Sequence, residues 1–224
     1  MTITWPSALV PQGVDPELRN FRKGGPRSGT GRRQDVYSDA GFWTIDMTLW
    51  VRNRRTAFAY RSLIARLRQG EEVDVPIFDK YLVLGATNNS ATASLASDAA
   101  LRATELDLTV SGMDIQAGAH FTLQTRLYRI TEVLDGPADP PIENPIATGS
   151  PWPEEGYPWT TDVSVSADYT VKVLPPLRSQ AIAGAVTHFK DQTCRCTLHE
   201  PNSGDLDLDN GRFGEPSLRF IESI

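Results

Sequence analysis

Cysteine is nearly absent from this chain, two residues in 224, which excludes a disulfide framework. The two, Cys194 and Cys196, lie in the strand-like FKDQTCRCTLHE, where a spacing of two puts both on one face in poor geometry for bridging each other. With no second cysteine pair to complete a zinc site, they read as buried thiols in a reducing compartment. Long apolar runs are also missing: none approaches the roughly 20 residues of a membrane-spanning helix, so no membrane insertion is expected. The opening MTITWPSALVPQG lacks the basic-then-apolar order of a signal peptide. The expectation is a protein made in a cytoplasm that stays there or leaves within a larger assembly.

Catalytic signatures are equally scarce. The only histidines, His120, His188 and His199, fall in unrelated strand segments, and no GxSxG, HExxH or phosphate-cradling glycine loop occurs. Each histidine is predicted at a strand surface or core edge, and no enzyme, cofactor or metal centre is expected. Asp205, Asp207 and Asp209 followed by Asn210-Gly211 invite comparison with a calcium loop. That pattern, however, wants Gly where Asn210 stands and Glu where Pro216 stands. The alternation predicts instead an acidic strand face running into an Asn-Gly hairpin. Glu154 and Glu155 are adjacent in a loop, and neighbours of that kind rarely point into one cleft as a glycosidase pair must.

The composition that is present, 40% hydrophobic and 22% charged, is that of a globular chain able to bury one large or two smaller β domains. Its net charge of −6 hides an asymmetry. Residues 1–70 carry twelve Lys and Arg against five Asp and Glu, net +7, and the remainder carries ten against twenty-three, net −13. The basic stretch with Arg19, Arg22, Lys23, Arg27, Arg32 and Arg33 lacks the interleaved aromatics of a single-strand binder, so no direct nucleic-acid recognition is expected. The two parts attract each other, within one chain or across a subunit boundary, and a head-to-tail contact between copies can close into a ring.

The most legible segment is Tyr37 to Asp79, where the period changes from 2 to 3.6 and back. Trp43, Ile45, Met47, Leu49 and Val51 alternate as one strand face. Ala57, Tyr60, Leu63, Ile64 and Leu67 recur at helical spacing over about 54–69, and Gly70 stands at the stop. Before this block, residues 1–35 form a Pro/Gly-rich basic arm, read as extended and ordered only by contact with something else. After it, residues 86–134 give a small antiparallel meander built on Leu106, Leu108 and Val110, then Phe121 and Leu123, then Leu127, Tyr128, Ile130 and Val133. Residues 135–161 are a proline-rich loop, and strands return over 162–224. The reading is a mainly β fold, a helix packed on a sheet plus a small second β unit.

The order WPSALVPQG, SDAGFWTIDMTLW, RTAFAYRSLIARLRQG, VPIFD, AGAHFTLQTRLYRITEV, VLPPLR and GRFGEPSLRFIES resembles the distal tail proteins of long-tailed bacteriophages and related prophage or gene-transfer particles. The resemblance spans most of the chain and rests on diffuse strand patterns. It implies a β-sandwich belt domain with one helix, made here of 36–85 and 162–224, with 86–134 as an inserted domain. It further implies a structural virion protein, assembled in the bacterial host cytoplasm, that forms a hexameric ring in the tail between tube protein and hub or baseplate. Candidate interface residues are Arg52, Arg54 and Arg55 at the helix start and Trp152, Tyr157 and Trp159 in the proline-rich loop. A competing reading makes those three aromatics the platform of a carbohydrate- or receptor-binding module.

Overall fold

The computed structural model describes residues 2–27, 33–78, 82–83, 86, 91–137, 166–200, 203–208 and 214–223, the side chains of 20–40 excepted. The described residues are mainly β, with one helix, in the order β1 (Thr2–Ile3), β2 (Pro11–Arg27), β3 (Arg33–Leu49), α1 (Arg54–Arg68), β4 (Glu72–Pro76), β5 (Thr92–Leu95), β6 (Glu105–Ser111), β7 (His120–Leu123), β8 (Arg126–Asp135), β9 (Ser166–Leu174), β10 (Thr187–His188), β11 (Thr193–Leu198) and β12 (Ser217–Glu222). They make two six-stranded sheets, β1-β4-β11-β12-β3-β2 and β10-β7-β8-β9-β6-β5.

In the first sheet the alternation in β3 buries Trp43, Ile45, Met47 and Leu49, and β12 adds Leu218 and Phe220 directly opposite Met47 and Ile45. Helix α1 covers this face with Tyr60, Leu63, Ile64 and Leu67, each worth about 1.5–3 kcal/mol of burial. Its start is set by a capping box: Asn53 Oδ1 accepts the Thr56 N–H at 2.9 Å, and Thr56 Oγ1 accepts the Asn53 N–H at 3.1 Å. Its end is marked by Gly70, whose φ of +83° favours glycine. Residues 203–208 then cross the helix, and the Tyr60 hydroxyl donates to the Gly204 carbonyl at 2.8 Å. A Cβ on Gly204 would stand 2.5 Å from the Leu218 side chain, so the crossing requires glycine.

The second sheet curls nearly into a barrel. The bridge Ser94↔Val186 and the bond from Gly184 N–H to the Leu95 carbonyl, 2.8 Å, bring β5 beside the chain entering β10. Phe121 stacks on Tyr128 and on Phe189 inside it, with ring centroids 5.6 and 5.3 Å apart. This barrel is inserted between two strands that are neighbours in the first sheet: β4 pairs with β11, and Ile77 N–H still donates to the Gln192 carbonyl at 2.8 Å. The chain leaves and re-enters the first sheet at one point.

Buried polar bonds weld the two sheets. Trp43 Nε1 donates to the Leu127 carbonyl at 2.7 Å, Arg195 N–H to the Thr125 carbonyl at 2.9 Å, and Thr122 Oγ1 to the Thr193 carbonyl at 2.8 Å. Glu222, only 4% exposed, accepts the Trp43 N–H at 3.1 Å and pairs with Arg126 at 3.2 Å. Burial pushes the Glu222 carboxyl above its ordinary value, against the lowering effect of these partners.

Three expectations need correction. The arm over 1–35 is not free: residues 11–27 pair along β3 from Pro11↔Leu49 to Arg27↔Arg33. Proline and glycine there read as irregularity, yet β2 is an edge strand, where a missing N–H costs no ladder bond. The domain boundaries also shift, because β9 and β10 belong to the second sheet. A meander ending at 134 would leave an open edge on both β6 and β8, and β9 fills the place between them, Leu106↔Val171 and Ile130↔Val173. Finally, 203–208 form no strand. Leu206 and Leu208 pack against the first core as side chains, and this packing takes the place of ladder pairing. The Asn210-Gly211 turn and the proline-rich loop from 138 lie outside the described residues.

Candidate subunit interface

Helix α1, RRTAFAYRSLIARLR, contains five arginines and no carboxylate. Arg54 and Arg55 occupy its first turn, where exposed N–H groups carry partial positive charge and a cation is unfavourable. The cost is local, a pattern expected at functional surfaces. On the last turn Arg66 meets Glu71 at 2.5 Å and Arg68 meets Asp205 at 2.6 Å. Arg55 and Arg61, both exposed, have no ion-pair partner among the described residues.

Aromatic rings complete this face. Arg52 lies over the Trp50 ring at 2.8 Å from its centroid, and Arg54 over Phe58 at 5.2 Å. Trp50 is 41% and Phe58 52% exposed, a large apolar area to leave in water. The structure thus brings Arg52, Arg54 and Arg55 together at one end of the helix. Trp152, Tyr157 and Trp159 lie outside the described residues. Trp50 and Phe58 were not anticipated, although the signal was present: Trp50 falls off the 43/45/47/49/51 stripe, and Phe58 off the 57/60/63/64/67 stripe. Guanidinium planes on exposed rings are the residue types enriched at the centres of protein interfaces.

The opposite face of the first sheet has complementary character. A groove of about 670 Å³ is lined by Asp15, Asp46, Thr48, Glu200, Ser217 and Arg219, with the Met47 and Leu218 side chains turned into the core on the other side. Asp15 and Asp46 are direct cross-strand partners, an unfavourable like-charge pair. Arg219 neutralises only one of them, its Nε and Nη2 each 2.6 Å from Asp46, and this contact holds the Asp46 carboxyl below its ordinary value. Asp15 and Glu200 form no ion pair within contact distance among the described residues, while Arg19 also helps to lower the Asp46 carboxyl and Glu200 acts on the Arg219 guanidinium.

The residues weighed for chemistry are dispersed. His120 Nε2 accepts from Arg129 Nε at 2.8 Å and its ring meets Trp43 edge-on, while His188 and His199 are exposed on other elements. Cys194 and Cys196 are free thiols sealed in the first core, and burial raises the Cys196 thiol well above its ordinary value. Asp205 is engaged by Arg68. Among the described residues no group of three or more His, Cys, Asp or Glu is placed to hold a metal ion, and no helix is long and apolar enough to cross a membrane. The chain matches no family model and no curated protein.

Proposed function

We propose that this protein is a structural subunit of the ring at the distal end of a bacteriophage tail, joining the tail tube to the hub or baseplate. The observation that carries the reading is the architecture: a helix-backed sheet with a whole barrel inserted between two adjacent strands, β4 and β11. Such an insertion leaves the sheet's pairing uninterrupted, so one unit assembles while the other is free to vary. This agrees with what the resemblance to distal tail proteins implies, a belt domain bearing an insert. The exposed Arg and aromatic face of α1 supplies the means of self-association.

Native mass spectrometry and electron microscopy of the full chain, alone and with its tail-tube protein, test the proposal. A closed sixfold ring is the expected result. A change from about 50 to 500 mM salt shortens the screening length from roughly 14 to 4 Å, so ring formation slows while rings already formed persist. A chain that stays monomeric with and without the tube protein overturns the proposal.

A further inference from the structure

We infer that the surface around Trp50 binds the same surface of a second copy across a two-fold axis. The inference needs only that second copy and stands apart from the ring reading. Trp50 is 41% exposed, and it divides two groups of charges. On one side lie Arg52, whose guanidinium covers the indole, and Arg54 and Arg55 in the first turn of α1, all three exposed. On the other side is a cleft of about 410 Å³ walled by Trp50, Asp207, Glu215 and Ser217.

Strand pairing fixes this order. The bridge Val51↔Gly214 sets Trp50 across from Glu215, and alternation turns those two outward while Val51 and Gly214 are buried. Gly214 lies so close to the Asp207 carbonyl that a Cβ there would collide with it, and this approach gathers Asp207 and Glu215 into one cleft. The run across the surface is cation, indole, carboxylate.

Each half carries charge that its own copy leaves unbalanced. Arg54 and Arg55 stand where the helix N–H groups already bring partial positive charge, and Asp207 and Glu215 have no ion-pair partner among the described residues. Asp205, the third carboxylate of the cleft, is taken by Arg68 at 2.6 Å. A half-turn about an axis through the indole lays the arginines of one copy on the free carboxylates of the other, twice over. Such a contact is isologous: one patch serves both partners and is saturated at two copies. Other rotations set like charges together, so the charges fix the orientation. Burial of the two indoles, with guanidinium groups beside them, supplies the apolar gain expected at the centre of an interface.

The test uses the full chain, with analytical ultracentrifugation and native mass spectrometry at about 50 mM salt, where screening is weak. The variants are R54E/R55E, D207K/E215K, the quadruple combination and W50S, each checked for native unfolding behaviour by circular dichroism. The wild type is expected as dimers, or as rings joined in pairs, and the assembly should halve in either double variant. Each double variant is expected to weaken the contact by at least about tenfold, and W50S to weaken it as well. The quadruple variant, and a 1:1 mixture of the two double variants, are expected to regain it, because every contact then joins opposite charges. Association that is indifferent to the double variants, or that the combination and mixture fail to regain, overturns the inference and leaves the ring reading standing. Charge-dependent dimers that form no ring with the tube protein present uphold this contact and overturn the ring. A wild type that stays monomeric overturns the inference, and if it does so with the tube protein present it overturns the ring as well.

Discussion

The indole N–H of Trp43 donates to the backbone carbonyl of Leu127 across 2.7 Å, joining the first sheet to the inserted barrel through a bond with no access to water. Trp43 is fully buried, and Leu127 itself belongs to the first core although it sits in β8. Trp43→Phe keeps most of the ring but leaves that carbonyl unsatisfied. The expected loss is about 1–3 kcal/mol of unfolding free energy, read by urea denaturation; an unchanged midpoint would show that the bond does not couple the two units.

Glu222 makes a pH-dependent contribution whose sign follows from its burial. Its carboxyl is raised above the ordinary 4.5 in the folded protein, so the folded state holds the proton more firmly than the unfolded chain. The contribution is fully present below about 4.5 and is lost as pH rises through the higher folded value. Glu222→Gln, neutral throughout, should therefore gain stability relative to wild type between pH 4.5 and 7.5. The opposite trend in paired denaturation curves would mean that Arg126 outweighs desolvation.

Between β7 and β8 the two-residue turn Gln124-Thr125 has φ of 51° and 69°, values that suit Asn-Gly and strain a β-branched residue. The Thr125 carbonyl is held by Arg195 N–H, a bond that any residue can make. Thr125→Gly is expected to raise stability by about 0.5–1 kcal/mol, since relief of strain exceeds the added chain entropy. Thermal unfolding decides it, and a lowered midpoint would show that the threonine side chain compensates its backbone.

Helix α1 offers a comparison of faces within one element. Leu63 and Leu67 are 1% and 2% exposed, and either one changed to Ala should cost about 2–4 kcal/mol. Arg61→Ala, on the solvent side, should cost under about 0.5 kcal/mol in the dissociated chain. If the arginine change proved the larger, the packing face would be misassigned.

The insertion is expected to be dispensable for folding of the first sheet. Joining Phe78 to Asp191 by a short turn makes β4 and β11 a direct hairpin, since Ile77 and Gln192 are already hydrogen-bonded. The shortened chain should unfold cooperatively at a lower midpoint, because Trp43 and Glu222 lose Leu127 and Arg126. A non-cooperative transition would mean that neither sheet folds alone.

The buried thiols give a simple check on the first core. Cys194 and Cys196 are 0% exposed, and a thiol reagent should modify them only at the rate of unfolding. Fast modification of the native chain would place β11 nearer the surface than its burial pattern indicates.

Local order was legible in the sequence by itself. The 3.6-residue stripe from Ala57 to Leu67 and Gly70 after it specify α1 through contacts a few residues apart, and the buried stripe of β3 follows from a period of two. That a second β unit interrupts the first was also readable, from the return of core-type strands near the C-terminus. Strand partners were not, because alternation tells which face of a strand is buried and nothing about which strand lies beside it. Only tertiary pairing decided that β9 joins β6 and β8, that residues 11–27 form an edge strand and not an arm, and that the Asp205–Asp207 stretch crosses the helix instead of entering a ladder. The same holds for the two faces of the first sheet: Arg54 with Phe58 is a local matter, but Asp15, Asp46, Glu200 and Arg219 come together across up to 204 residues of chain, and no local pattern encodes a meeting at that range.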